Sequence, residues 1–154
     1  MKIGTLCYIE HLGKTLLLHR VRKEDDMHEG KWIGLGGKLE PGETPEECVI
    51  REIKEESGLT IRDPQLKGIL TFPMFDGIDD WMAFLFVATT FEGDLIESAE
   101  GQLAWVNTAD IANLNMWPGD RIFLKWMAED RFFSAKFTYK NKQLIDHSVV
   151  FHSA

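Results

Sequence analysis

GGKLEPGETPEECVIREIKEESGL, residues 36–59, packs seven glutamates into 24 positions of a chain that is already acidic, and two of them, Glu55 and Glu56, are adjacent. Like charges this close repel, so the stretch is either a solvated helix face laced with ion pairs or a place built to receive a cation. Its local signals predict a helix over residues 44–57. Thr44 supplies an N-cap oxygen, Pro45 falls at the first helical position where its missing N–H costs nothing, and Glu47 completes a T-x-x-E capping box. Gly58 is the expected C-terminal stop.

At ~100° per residue, Glu52, Glu55 and Glu56 share roughly 100° of arc, while Val49, Ile50 and Ile53 centre on a stripe about 110° away. The helix can therefore bury one side and present three carboxylates from another. Arg51 stands four residues from both Glu47 and Glu55, the spacing for ion pairs. Three convergent carboxylates suit a hard divalent cation with oxygen ligands. Magnesium usually keeps several waters and is shared with substrate phosphates, so such a cluster points to a phosphate-bearing substrate and to attack of an activated water on phosphorus.

Outward from this helix, residues 3–9 and 15–19 read as two strands joined by a turn, residues 21–31 as a polar loop, and residues 31–38 (KWIGLGGK) as a glycine-rich approach where backbone can come close to a ligand. Residues 67–72, 81–91 and 103–106 read as strands. Residues 120–129 read as a second amphipathic helix, capped by Asp120 after Pro118 and Gly119. Residues 133–139 and 143–151 read as a closing hairpin. Mixed strands with two helices predict an α/β or α+β sandwich in a single domain over residues 1–154.

The 154 residues, 44% hydrophobic and 27% charged, are enough for one sizeable core. A net charge of −8 argues against binding a nucleic-acid polymer through a basic face, but not against a small phosphorylated ligand, because bound metal can reverse the local sign. No apolar run approaches the ~18 residues of a membrane span, so no membrane partner is expected. The N-terminus turns polar too soon for a signal peptide, so a cytoplasmic protein is expected. Cys7 and Cys48 lack disulfide-scaffold or zinc spacing, and the five histidines show no ligand spacing. Gly13-Lys14-Thr15 resembles the end of a phosphate-binding loop, but Tyr8 stands where its first glycine belongs, and a hairpin turn explains it better.

The glutamate-rich stretch resembles the signature of the Nudix hydrolases: Gly37, five residues, Glu43, seven residues, then Arg51, Glu52, Ile53, Glu55, Glu56, Gly58 and Leu59, with all nine fixed positions filled. At residue frequencies of ~7%, a chance match at a given start is on the order of 10⁻⁹, which sets it apart from a lone glycine motif. KWIGLGGK, the Glu100-Gly101-Gln102 triplet and the Met116–Asp120 run are similar to the MutT-type branch over most of the chain. The resemblance implies a Nudix-type α/β/α sandwich around a mixed sheet. It also implies a magnesium- or manganese-dependent hydrolase of oxidised purine triphosphates such as 8-oxo-dGTP, releasing the monophosphate and pyrophosphate. On the matching positions, it implies a metal cluster of the Gly36 carbonyl, Glu52, Glu55, Glu56 and Glu100. Glu52 is then the first choice for the water-orienting base, Arg51 orients a box carboxylate, and Glu43 is structural. Lys38 and Lys23 resemble phosphate-contacting positions; a solvated lysine is the plain alternative for each.

Phe72, Trp81 and Trp117 resemble the positions that form the slot for the base, with core packing the competing explanation for each. Asp120 resembles a reader of the purine edge, where an acceptor suits N–H donors, but capping the second helix would account for it equally. Two positions depart from the animal oxidised-purine branch, which has an asparagine in place of Ile33 and an aspartate in place of Gly119. Two alternatives stay open. One is hydrolysis of ordinary nucleoside triphosphates, ADP-ribose or dinucleoside polyphosphates; the other is a Nudix-fold module that senses a nucleotide without cleaving it.

Overall fold

The computed structural model describes residues 1–21 and 26–153. Ten strands and two α-helices follow one another among the described residues. The strands are β1 (Lys2–His11), β2 (Lys14–His19), β3 (Trp32–Ile33), β4 (Thr60–Arg62), β5 (Gln65–Phe72), β6 (Trp81–Ala88), β7 (Thr90–Glu92), β8 (Gln102–Asn107), β9 (Phe132–Lys140) and β10 (Gln143–His152). The helices are α1 (Pro45–Ser57) and α2 (Pro118–Ala128), with a 3₁₀ turn at Thr108–Asn113.

The main sheet runs β10-β9-β5-β6-β1-β2-β3, with β8 also on β2, and β4 pairs with β7 separately. It is mixed: β1 runs parallel to β6 and β5 parallel to β9, while the remaining neighbours are antiparallel. Strand alternation explains why both faces need a cover. Cys7, Ile9, Leu16 and Phe86 point to one side and pack with Val49 and Ile53 of α1. Tyr8, Leu17, Leu85 and Val87 point to the other and pack with Phe123 and Met127 of α2. The result is the expected α/β/α sandwich. Among the described residues, no helix is long and apolar enough to cross a membrane.

Helix α1 begins and ends as its sequence predicts. The Thr44 side chain accepts from the Glu47 N–H at 3.1 Å and the Glu47 carboxylate accepts from the Thr44 N–H at 2.9 Å. Gly58 closes the helix at φ +83°, and a Cβ there would stand 2.6 Å from the Asp94 carbonyl oxygen. Three expectations change. Glu47 is engaged in this cap, so Arg51 keeps the expected Glu55 but takes Glu43 and Glu52 in place of Glu47. Residues 81–91 are two strands, because the chain leaves the main sheet after Ala88 and Phe91 pairs with Ile61. Helix α2 starts earlier than expected: Pro118 takes the first helical position and Trp117 the N-cap, so Asp120 lies inside the first turn and caps nothing.

Candidate active site

The glycine-rich segment reaches the site by lying against β1. Gly37 accepts the Thr5 N–H at 2.8 Å and Leu35 exchanges backbone bonds with Cys7 at 2.6 and 3.0 Å. A Cβ on residue 36 would come 2.0 Å from the Thr5 carbonyl oxygen, and one on residue 37 would come 2.3 Å from the carboxyl carbon of Glu52. These two glycines let a strand and a carboxylate approach the same piece of backbone.

Arg51 ties the loop to the helix. Its fork holds Glu43 bidentately at 2.6 and 2.8 Å, reaches the Lys38 carbonyl at 3.2 Å, and donates to Glu52 at 2.8 Å. These bonds from Arg51, with the Glu40 N–H, hold the Glu43 carboxyl down at about 2. Glu43 is thus a buttress, and Arg51 fixes one oxygen of Glu52. Glu56 accepts the Gly36 N–H at 3.3 Å. Burial first, then the charges of Glu100 and Glu52, push its carboxyl up to about 8. Burial also raises Glu52, against the pull of Arg51.

Glu52, Glu56, Glu100 and Gly36 share the wall of one cavity of ≈ 450 Å³. Glu55 does not line it; its side chain is 59% exposed and leans toward Arg51 at 3.4 Å. Among the described residues, no three acidic side chains already stand at coordinating spacing, because Arg51 draws Glu52 and Glu55 while Arg20 draws Glu100 at 3.3 Å. The donor set nevertheless fits a hard divalent cation. Every ligand atom on offer is oxygen, and the raised Glu56 carboxyl marks a corner where negative charge is crowded.

The other end of the cavity is aromatic. Phe72, Trp81 and Trp117 line it, joined by Phe75 and Tyr139. Phe75 is the hub, 4.9 Å from Trp117, 5.4 Å from Tyr139 and 5.5 Å from Phe72 between ring centres. Trp117 is nearly buried and donates its indole N–H to His28 Nδ1 at 2.8 Å, which fixes the His28 ring proton on Nε2. Burial holds that imidazole neutral, down to about 4. Trp81 donates to Asp76 at 2.9 Å, and Lys38 Nζ lies 5.9 Å from the centre of the Trp81 ring. Lys38 therefore borders both the acidic and the aromatic ends; Lys23 lies outside the described residues.

Asp120 is 7% exposed and lines the cavity with Ile33. Among the described residues, no hydrogen bond reaches its carboxyl and no enclosed side-chain oxygen lacks a partner, so this one opens to the cavity. Burial raises it to about 7, against the pull of Lys31 and Arg121. Sequence reasoning did not single out Arg20, Phe75, Asp76, His28 or Tyr139. Phe75 and Asp76 carried one faint signal, an aromatic and a carboxylate inside the turn-rich PMFDG run; Arg20, His28 and Tyr139 reach the cavity from other parts of the chain.

A mixed sheet between two helices, with an acidic and an aromatic half to one cavity, is the frame of a nucleotide hydrolase. The NUDIX domain family matches residues 2–127, and the chain belongs to that family. It is 41% identical over 140 residues to the uncharacterized Nudix hydrolase YvcI of Bacillus subtilis, covering 88% of this chain and 85% of that one. It is 31% identical over 144 residues to the oxidized purine nucleoside triphosphate hydrolase of Danio rerio, covering 94% and 90%. Among solved structures, the MutT protein from Bacillus halodurans superposes with a TM-score of 0.87 at 34% identity, covering 97% of both chains. Membership makes this protein a hydrolase of nucleoside diphosphate derivatives, a family that generally works with divalent metal ions.

Proposed function

We propose that the protein is a magnesium- or manganese-dependent diphosphohydrolase of purine nucleoside triphosphates, oxidised purines such as 8-oxo-dGTP among them, releasing the monophosphate and pyrophosphate. The observation that carries this reading is the Asp120 carboxyl, 7% exposed and without a hydrogen-bond partner among the described residues, opening into an aromatic slot that shares one cavity with Glu52, Glu56 and Glu100. A buried acceptor without a partner is unfavourable unless a ligand supplies one, and a guanine-type edge supplies N–H donors. The Danio rerio relative, an oxidized purine nucleoside triphosphate hydrolase by name, supports the same substrate class.

In this reading Glu52, Glu56, Glu100 and the Gly36 carbonyl would hold the metal, which Glu55 could join only by turning from Arg51, and the metal's charge would offset the phosphates and the leaving pyrophosphate. Glu52 takes the proton of the attacking water, with Arg51 fixing its second oxygen. The water oxygen bonds to phosphorus, the anhydride bond breaks, and pyrophosphate leaves. Lys38 steadies the phosphates, and Phe72, Trp81 and Trp117 enclose the base.

The test compares kcat/KM with magnesium for 8-oxo-dGTP, dGTP, dATP, ADP-ribose and diadenosine tetraphosphate. At least tenfold in favour of 8-oxo-dGTP over dGTP, about 1.4 kcal/mol, supports the oxidised-purine reading. Equal rates on these two keep the hydrolase and remove that preference. Unchanged turnover in a folded Glu56→Gln protein would sink the assignment of the acidic cluster.

A further inference from the structure

The first turn of α2 poses a question that its own sequence does not answer. Its N-cap residue, Trp117, has no side-chain acceptor to offer, and its indole N–H is committed to His28. The N–H of Gly119, buried in the first turn without an intrahelical acceptor, is met instead from β9: it donates to the Tyr139 hydroxyl oxygen at 2.8 Å. A Cβ on residue 119 would lie 2.6 Å from that oxygen and 2.8 Å from Phe137 Cδ1. The space beside the helix start is therefore reserved for the phenol, and a side chain at position 119 and a hydroxyl at position 139 exclude each other.

The same bond orients the hydroxyl. A phenol has one proton to give and two lone pairs to receive with. The Gly119 amide occupies one lone pair, and no acceptor among the described residues takes the proton. The ring is held edge-to-face by Trp117 at 5.2 Å and Phe75 at 5.4 Å, so the hydroxyl is not free to swing away. Both it and the Asp120 carboxyl line the aromatic end of the cavity. A half-buried donor thus stands beside a buried acceptor, each lacking a partner from the described protein.

That pairing matches one class of base edge better than another. A 6-oxopurine presents a carbonyl acceptor next to an N1–H and, in guanine, a 2-amino donor. A 6-aminopurine presents a donor next to a bare ring nitrogen, which would leave the phenol proton without an acceptor and the carboxylate without a donor. A site that hydrogen-bonds one edge discriminates strongly against an analogue lacking it, because its own polar groups are then stranded. We infer that Tyr139 is a second reader of the base, giving its hydroxyl proton to the 6-carbonyl while Asp120 receives the neighbouring N–H groups, so that the cavity selects 6-oxopurine over 6-aminopurine nucleotides. This rests on the cavity being a purine nucleotide site, as proposed above.

The experiment is titration calorimetry of the whole, metal-free protein with dGMP, dAMP and 2-aminopurine deoxyriboside monophosphate, for wild type and Tyr139→Phe. Monophosphates read the base end without hydrolysis. The expected result is dGMP at least tenfold tighter than dAMP in wild type. Tyr139→Phe should shrink that gap about tenfold, with dAMP affinity held within twofold. A purely structural capping role predicts a lower Tm in Tyr139→Phe with the ratio between nucleotides unmoved, and that result overturns the inference. Should Tyr139→Phe fail to fold, wild type decides the selectivity: equal affinity for dGMP and the 2-aminopurine nucleotide, which lacks both the 6-carbonyl and the N1–H, overturns the inference, and a tenfold gap supports a cavity that reads the 6-oxopurine edge. Selective, Tyr139-dependent binding by a protein that hydrolyses no triphosphate would remove the proposed hydrolase activity and keep this reader. Hydrolysis without a Tyr139-dependent gap would do the reverse.

Discussion

Replacing Asp120 with asparagine should make the protein more stable at alkaline pH while weakening its hold on purines. The Asp120 carboxyl is raised from 3.8 to about 7 by burial, with Lys31 and Arg121 only partly offsetting it and Tyr8 and Tyr139 its other ionisable neighbours. In the unfolded chain the group loses its proton near 3.8, while in the folded protein it keeps the proton until about 7. Between those values the folded state binds more protons, so stability falls as pH rises and then levels off. A shift of roughly three units at about 1.4 kcal/mol each sets an upper bound of about 4 kcal/mol on the loss. Asp120→Asn has nothing to titrate and should lack this slope. Urea unfolding in EDTA at pH 4.5, 6, 7 and 8.5 measures the difference between the two proteins, in which the contributions of Glu56 and Glu52 cancel. The curves should meet near pH 4 and separate steadily to pH 7, with the variant above. Parallel curves would refute the reasoning, because they would mean that the carboxyl is solvated or paired when folded. A buried charge retained at a cost in stability is what a ligand-facing group looks like.

Other expectations follow from the same coordinates. Gly37→Ala places a methyl group 2.3 Å from the Glu52 carboxyl carbon, so it should fold yet lose at least tenfold in kcat, as measured by steady-state kinetics beside its circular dichroism. Gly36→Ala meets backbone at 2.0 Å instead, and its soluble yield and Tm should fall sharply. Arg51→Lys keeps the charge but not the fork that grips Glu43 and Glu52, so both Tm and turnover should drop; a variant equal to wild type in both would show that the bidentate geometry is idle. Because burial and neighbouring carboxylates raise Glu56 to about 8, the metal-free protein should lose stability as pH rises from about 4.5 to 8. Magnesium at pH 8 should raise the Tm of wild type and leave Glu56→Gln nearly unchanged, which differential scanning fluorimetry would read directly. Thr44→Ala removes one side of the capping box at an exposed helix start and should cost about 1 kcal/mol in urea unfolding.

By itself, the sequence determined the parts whose causes are local. Helix α1 could be read end to end because a capping box, a proline at the first position and a left-handed glycine stop all act within a few residues. The acidic face followed from helical periodicity, and the family from the resemblance of nine positions, Gly37 to Leu59, to the Nudix signature. Elements set by distant partners were not legible in the same way. The break after Ala88 depends on where β4 offers an edge to Thr90–Glu92. The start of α2 turned on Pro118, which fits a first helical turn, whereas Asp120 looked like a cap only because carboxylates often are. Tertiary structure alone decided the binding end of the cavity. It brought Phe75, Trp117 and Tyr139 together from three separate elements, turned Asp120 from a helix cap into an open acceptor, and made the hydroxyl of one strand cap the helix beside it. The physical reason is that an ion pair or a cap within a helix is written in the spacing of neighbouring residues, whereas a pocket is written in the curvature and register of a sheet, which no short stretch contains.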